Sequence, residues 1–159
     1  MPKVILICGK ICSGKSTYAK QLLLENKAVL LSVDEITLAL FEQHIGDKHD
    51  EYVEKTQNYL FDKSVEIIET GINVILDWGF WMKEERAFAK EFYKDRNIEC
   101  EFHYIDISDE IWELHLRKRN AAILAGETSA YYVDDNLAAK FGALFEKPDE
   151  DEIDVWSAR

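Results

Sequence analysis

The run Gly9-Lys10-Ile11-Cys12-Ser13-Gly14-Lys15-Ser16 fits the pattern GxxxxGK[ST] at every fixed position. Glycines at both ends of such a run let the backbone curl, so that successive N–H groups converge on one anion. The helix expected next turns its positive end to the same point. Lys15 is then placed to reach the terminal phosphates of a nucleotide, and the Ser16 hydroxyl is a ligand for magnesium. With Thr17 opening the helix, Gly9, Lys10, Ile11, Cys12, Ser13, Gly14, Lys15, Ser16 and Thr17 form the candidate nucleotide-binding set. Cys12 sits inside the loop near a helix N-terminus, where a thiol can ionise more readily. It reads either as a small residue that fits or as an oxidation-sensitive site.

Two carboxylates stand where short apolar runs end. Asp77 closes Val74-Ile75-Leu76, in the position of a strand-end acid that helps hold magnesium; the plainer alternative is a turn residue. Asp34 follows Val29-Leu30-Leu31-Ser32-Val33. There it could take a proton from a hydroxyl attacking phosphorus, or cap the helix it begins, or do both. Positive charge near a transferring phosphate could come from Arg86, in the helix after Asp77, or from a lid carrying Arg117, Lys118 and Arg119. Each of these cations reads equally as a solvated surface charge.

These residues need elements to hold them. Val4 to Cys8 is an apolar run typical of a strand buried on both faces, and Ala28–Leu31 and Asn73–Leu76 read the same way. A fourth strand is predicted over Glu101 to Ile107. Helical spacing covers Thr17–Glu25, Asp34 to about Gln43, about Glu51 to Thr70 with Gly71 as its stop, and Lys83–Arg96. Further helices are predicted over Asp109–Leu124, capped by Ser108, and about Val133 to Phe145. Loops fall at His44–Asp50 and Gly126–Ser129. Strands alternating with helices, without hairpin signals, mean parallel βαβ units in one doubly wound α/β domain. The aromatics Trp78, Phe80 and Trp81, which follow Asp77, either pack in the core or line a substrate cleft.

With 159 residues, 47% of them hydrophobic, the chain can fill a core, which excludes wholesale disorder. The first apolar stretch is five residues long and runs into a glycine loop, so neither a signal peptide nor a membrane span is expected, and the expected location is cytoplasmic. Three cysteines, Cys8, Cys12 and Cys100, lack zinc or disulfide spacing and are expected as free thiols. The net charge is −12, with −5 of it between Glu146 and Asp154 and −8 over residues 1–145. An acidic body counts against nucleic acid as a partner. The acidic tail, about residues 146–159, reads either as a partner-binding element or as a solvated end, and the solvated end is the expectation.

Taken together, the segments GKICSGKST, LSVDEI, NVILDWGFWMKEER and the helix ending RKRN resemble the P-loop kinase superfamily. Within it the similarity is to AAA-type ATP-binding proteins related to polynucleotide kinase, chloramphenicol phosphotransferase and zeta toxin, over roughly residues 3–124. That resemblance implies a single three-layer P-loop NTPase domain across residues 1–159, with a parallel sheet like that of nucleoside monophosphate kinases and a helical lid. It implies ATP and Mg²⁺, with Ser16 and Asp77 at the metal, and Lys15, Asp34 and Arg86 as the catalytic groups. Arg119 matches the lid arginine placed near the adenine. Where the family often carries a second arginine this chain has His115, and Arg117 is the nearest replacement. The implied reaction moves the γ-phosphate of ATP to a hydroxyl of a small molecule. A polynucleotide 5′-hydroxyl kinase and an ATP-binding switch or toxin-like module are the alternatives.

Overall fold

The computed structural model describes residues 1–158; residue 159, the end of the expected domain and tail, lies outside the described residues. Five strands form one sheet: β1 (Lys3–Cys8), β2 (Ala28–Leu31), β3 (Asn73–Gly79), β4 (Glu99–Asp106) and β5 (Val155–Ala158). Their order is β2-β3-β1-β4-β5, and every adjacent pair is parallel. The apolar run Val4–Cys8 is the central strand and is buried on both faces.

Among the described residues there are six α-helices: α1 (Lys15–Glu25), α2 (Val33–Phe41), α3 (His49–Glu69), α4 (Lys83–Lys94), α5 (Asp109–Leu124) and α6 (Asp135–Leu144). On one face Phe61 and Ile68 of α3, with Ala89 and Tyr93 of α4, pack on Val4, Leu6, Val74, Leu76 and Phe102. On the other, Ala19 and Leu22 of α1, with Ile111 and Trp112 of α5, pack on Ile5, Ile7, Ile75 and Ile105. Alternate residues of each strand thus serve opposite layers, which is why these strands are continuous apolar runs. The expected three-layer, parallel α/β domain is the observed one.

The chain departs from β1 toward β2 and β3, then crosses back over β1 to β4. The carboxyl end of β1 is therefore the topological switch point, where open α/β sheets form their binding crevice. The glycine loop leaves β1 at that point.

Several boundaries differ from the sequence reading. The α2 cap is Ser32, whose hydroxyl accepts from the Glu35 N–H at 3.3 Å, so Asp34 is not the cap. Asp134 caps α6, which leaves Val133 buried in the segment before it. The larger difference is the tail. Instead of a solvated end it carries the edge strand β5, preceded by a set of specific contacts. The Asp154 carboxylate accepts from the Phe102 N–H at 2.7 Å, and Lys83 reaches Asp149 at 2.7 Å. Acidic residues followed by a four-residue strand carry little local signal; their partners lie far back in the chain, on β4, on α4 and at Trp81 in the turn before α4.

Candidate nucleotide-binding and phosphotransfer site

The loop is braced from below before it meets any ligand. The Gly9 N–H donates to the Gly79 carbonyl at 3.0 Å, and the Trp81 indole N–H donates to the Gly9 carbonyl at 3.1 Å. Both glycines are required by that closeness. A Cβ on Gly9 would come within 2.7 Å of Ser13 Oγ, and Gly79, at φ +94°, would drive one into the Trp81 ring. Trp81 also packs on Phe141 of α6, whereas Phe80 is buried and Trp78 lies against Phe61 and Phe80. Of the two readings of these aromatics, the structure shows core packing and loop support.

Gly14, at φ +96°, starts α1, so the first-turn N–H groups of Lys15, Ser16 and Thr17 point out of the helix end without intrahelical acceptors. The Lys15 ammonium curls back to donate to the Lys10 carbonyl at 2.7 Å. Burial pushes its pKa below the ordinary lysine value, while the Asp77 and Asp34 carboxylates oppose that shift. Ser16 donates to Asp77 Oδ2 at 3.2 Å. Asp77 is 8% exposed; burial raises its pKa, Lys15 and Ser16 draw it back, and Asp34 adds to the rise. Lys15, Ser16, Asp77 and Asp34 thus form one electrostatic group, assembled from β1–α1, β3 and the start of α2.

A hydroxyl beside a carboxylate is a hard-oxygen donor pair that suits magnesium. That ion ordinarily takes one or two protein oxygens and completes its shell with water and phosphate. No set of three or more His, Cys, Asp or Glu with metal-binding spacing occurs among the described residues. The Ser16 hydroxyl and the Asp77 carboxylate are donors that fit an ion brought with a nucleotide.

Helix α5 closes over the loop along one face. The Trp112 indole N–H donates to the Ile11 carbonyl at 2.6 Å, and His115 Nδ1 meets the Cys12 carbonyl at 3.1 Å. Arg119 Nη1 lies 3.1 Å from Cys12 Sγ, while Arg119 Nε is buried without a hydrogen-bond partner. Trp112, His115 and Arg119 are spaced i, i+3, i+7, one stripe of a helix. Trp112 was missed by the sequence reading although that spacing was available to find it. His115 occupies the second position of the stripe as a loop contact. Arg117 stands off that stripe: its side chain is 82% exposed and lies 3.9 Å from Glu113.

Arg86 is also displaced from its expected place. It is 1% exposed and donates to Glu152 through Nε and Nη2, and to the Phe80 and Trp81 carbonyls through Nη1. With Nε, Nη1 and Nη2 each bonded to protein, its guanidinium props the β3–α4 turn beneath the loop instead of facing the cleft. The reason is the tail, which supplies a carboxylate that local spacing did not reveal.

Beside Lys10 an open cavity of about 590 Å³ is lined by Asp106, Ser108, Asp109, Gly142 and Phe145, at the carboxyl ends of β4 and β5. Asp34 follows β2, at the opposite side of the sheet. The loop, after β1, lies between them.

Residues 4–148 match the family described as AAA domain. Among solved structures, the chain is similar to the Mycobacterium tuberculosis APS kinase CysC in complex with AMPPNP and APS. The identity is 19% and the TM-score 0.65, covering 99% of this chain and 88% of that one. It is similar to Chaetomium thermophilum Kti12 in complex with ADP-AlF3 at 14% identity and a TM-score of 0.72, covering 98% and 88%. A sugar kinase from Janibacter sp. HTCC2649 is matched at 15% identity and a TM-score of 0.67, covering 99% and 86%. At these identities the likeness is one of fold. No curated protein sequence matches the chain.

Proposed function

The chain belongs to the AAA domain family and has the P-loop kinase fold, and from that premise we propose that it is an ATP-dependent phosphotransferase acting on a hydroxyl of a small molecule. One observation carries the reading. Lys15, Ser16 and Asp77 are drawn together at the switch point, and the Asp34 carboxylate, left uncommitted by capping, is close enough for its charge to act on Lys15 and Asp77.

In this reading the phosphates lie on the loop, held by the backbone N–H groups of residues 14–17 and by the Lys15 ammonium. The nucleoside extends toward the cavity beside Lys10, with Arg119 over it from α5. Ser16 and Asp77 would hold magnesium, which would supply charge neutralisation at the phosphates. Asp34 accepts the proton of the acceptor hydroxyl as the new oxygen–phosphorus bond forms and the bond from the γ-phosphorus to the bridging oxygen breaks. ADP leaves with that oxygen.

The acceptor is read as small and not anionic. Residues 34–54, around Asp34, hold seven acids and one lysine, which repels a polyanion such as a nucleic acid strand. The whole of residues 1–159 is read as one catalytic domain, working in the cytoplasm with its three thiols reduced. No helix among the described residues is long and apolar enough to cross a membrane.

The test is ADP release from MgATP across nucleosides, sugars, aminoglycosides, chloramphenicol and 5′-hydroxyl oligonucleotides, with Lys15→Ala and Asp34→Asn alongside. Acceptor-dependent release lost in both variants supports the reading. Tight ATP binding without stimulation by any acceptor would favour the switch instead.

A further inference from the structure

The segment between α5 and α6, residues 126–134, does not hang over the cleft as a free loop. At one end it is fastened to α5. Asn120, the residue after Arg119, donates to the Val133 carbonyl at 2.5 Å and accepts from the Val133 N–H at 3.1 Å, and Val133 is 1% exposed. A few residues earlier it is fastened to α2 and to the turn that follows α2. The Tyr131 hydroxyl donates to Thr37 Oγ1 at 2.8 Å, and Gln43 donates to the Ala130 carbonyl at 2.5 Å. Thr37, fully buried, donates its hydroxyl hydrogen bond to the Asp34 backbone carbonyl at 3.3 Å. The His49 ring meets Tyr131 edge-on at 5.8 Å.

These contacts join into one path. Ile11 and Cys12 of the loop are held by Trp112, His115 and Arg119. Asn120 then holds the segment, Tyr131 holds Thr37, and Thr37 holds the first turn of α2, which carries Asp34. Each link is a directional hydrogen bond, several of them half-buried, so a displacement at the loop strains the next partner instead of being absorbed by water.

We propose that residues 126–134 are a strap through which nucleotide binding orders the acceptor side, with Tyr131 as a positioning residue that sets Asp34 through Thr37. The proposal rests on the nucleotide-site reading above and adds a consequence to it. Filling the loop fixes Arg119 and its helix, and the strap then fixes the turn that bears the base. The acceptor would meet a carboxylate already set by the nucleotide.

Hydrogen exchange with MgAMPPNP as the probe tests this without an identified acceptor. In the wild-type chain MgAMPPNP should slow exchange in residues 9–17, in 112–120 and, by about 5-fold or more, in residues 33–38. Tyr131→Phe and Thr37→Val should keep the protection at 9–17 and lose most of that at 33–38. Thr37→Ser, which keeps the hydroxyl, should restore it. A merely structural role would change exchange at 33–38 equally with and without nucleotide, and unchanged exchange in β1 shows that each variant is folded. Protection at 9–17 with none at 33–38 in the wild type, or transmission intact in Tyr131→Phe, overturns the strap and leaves the nucleotide site standing. No protection at 9–17 overturns the nucleotide site and the strap together.

Discussion

Arg86 and Glu152 form a two-point ion pair, Nε to Oε1 at 3.0 Å and Nη2 to Oε2 at 3.3 Å, with only 1% and 13% of the two side chains exposed. Burial pushes the Glu152 carboxyl up, but the Arg86 guanidinium, the Asp149 N–H and Lys83 together hold it below the usual range. The pair ties the chain just before β5 to the turn under the phosphate loop. It turns an arginine expected at the transferred phosphate into a structural pin.

Removing one partner strands the other. Glu152→Ala should cost about 3–5 kcal/mol, because a buried guanidinium then lacks its counter-charge. Urea denaturation measures that loss. At a temperature where the variant stays folded, its turnover number should remain within a few-fold of wild type. A collapse of turnover in the folded variant would return Arg86 to the reaction.

Asp34 carries the chemical step in this reading, and its cap role is taken by Ser32. Asp34→Asn should therefore lower the turnover number by about 10²- to 10⁴-fold while MgAMPPNP affinity changes little. Single-turnover kinetics beside a nucleotide titration separates the two effects. Equal losses in both would mark Asp34 as a nucleotide contact.

The two candidate lid arginines should behave differently. Arg119 reaches the loop at Cys12 and keeps a buried, unpartnered Nε, so Arg119→Ala should weaken MgAMPPNP binding by about 10- to 100-fold. Arg117, exposed beside Glu113, should tolerate alanine with almost no change. Calorimetric titration of both variants decides the assignment.

What could be read from residues alone follows from how local each signal is. The loop was legible because phosphate binding fixes residue types at consecutive positions, and the strands were legible because burial on both faces forces unbroken apolar runs. Asp77 stood out for the same reason, as a charge ending such a run. Arg86 was misplaced because its partner, Glu152, is distant in sequence and belongs to a run that looks like a solvated tail. Tyr131 and Thr37 escaped notice because a tyrosine in a polar loop and a threonine in a helix are ordinary. Only the fold brings them within 2.8 Å of each other. Pairings across the chain, rather than patterns along it, made the remaining half of the site.

The last prediction concerns His103, buried on β4 behind α1. The Tyr18 hydroxyl lies 2.8 Å from its Nδ1, and its Nε2 lies 3.2 Å from Glu101, which also pairs with Lys3 at 2.7 Å. A neutral ring protonated on Nε2 satisfies both contacts, donating to Glu101 and accepting from Tyr18. Burial lowers the His103 pKa below its ordinary value of 6.5; Glu101 opposes that shift, Lys3 adds to it, and Asp154 opposes it. The unfolded chain therefore takes up a proton at a higher pH than the folded one. From about pH 6.5 downward the unfolded state binds more protons, so stability falls as pH drops, and this contribution levels off once the folded ring is also protonated. Denaturation midpoints between pH 8 and pH 5 should show that acid-side decline in wild type and a shallower one in His103→Gln. The difference between the two curves reports this ring together with its partner Glu101, whose carboxyl His103 helps to draw downward. Curves that run parallel would mean that His103 is protonated as easily inside the fold as outside it.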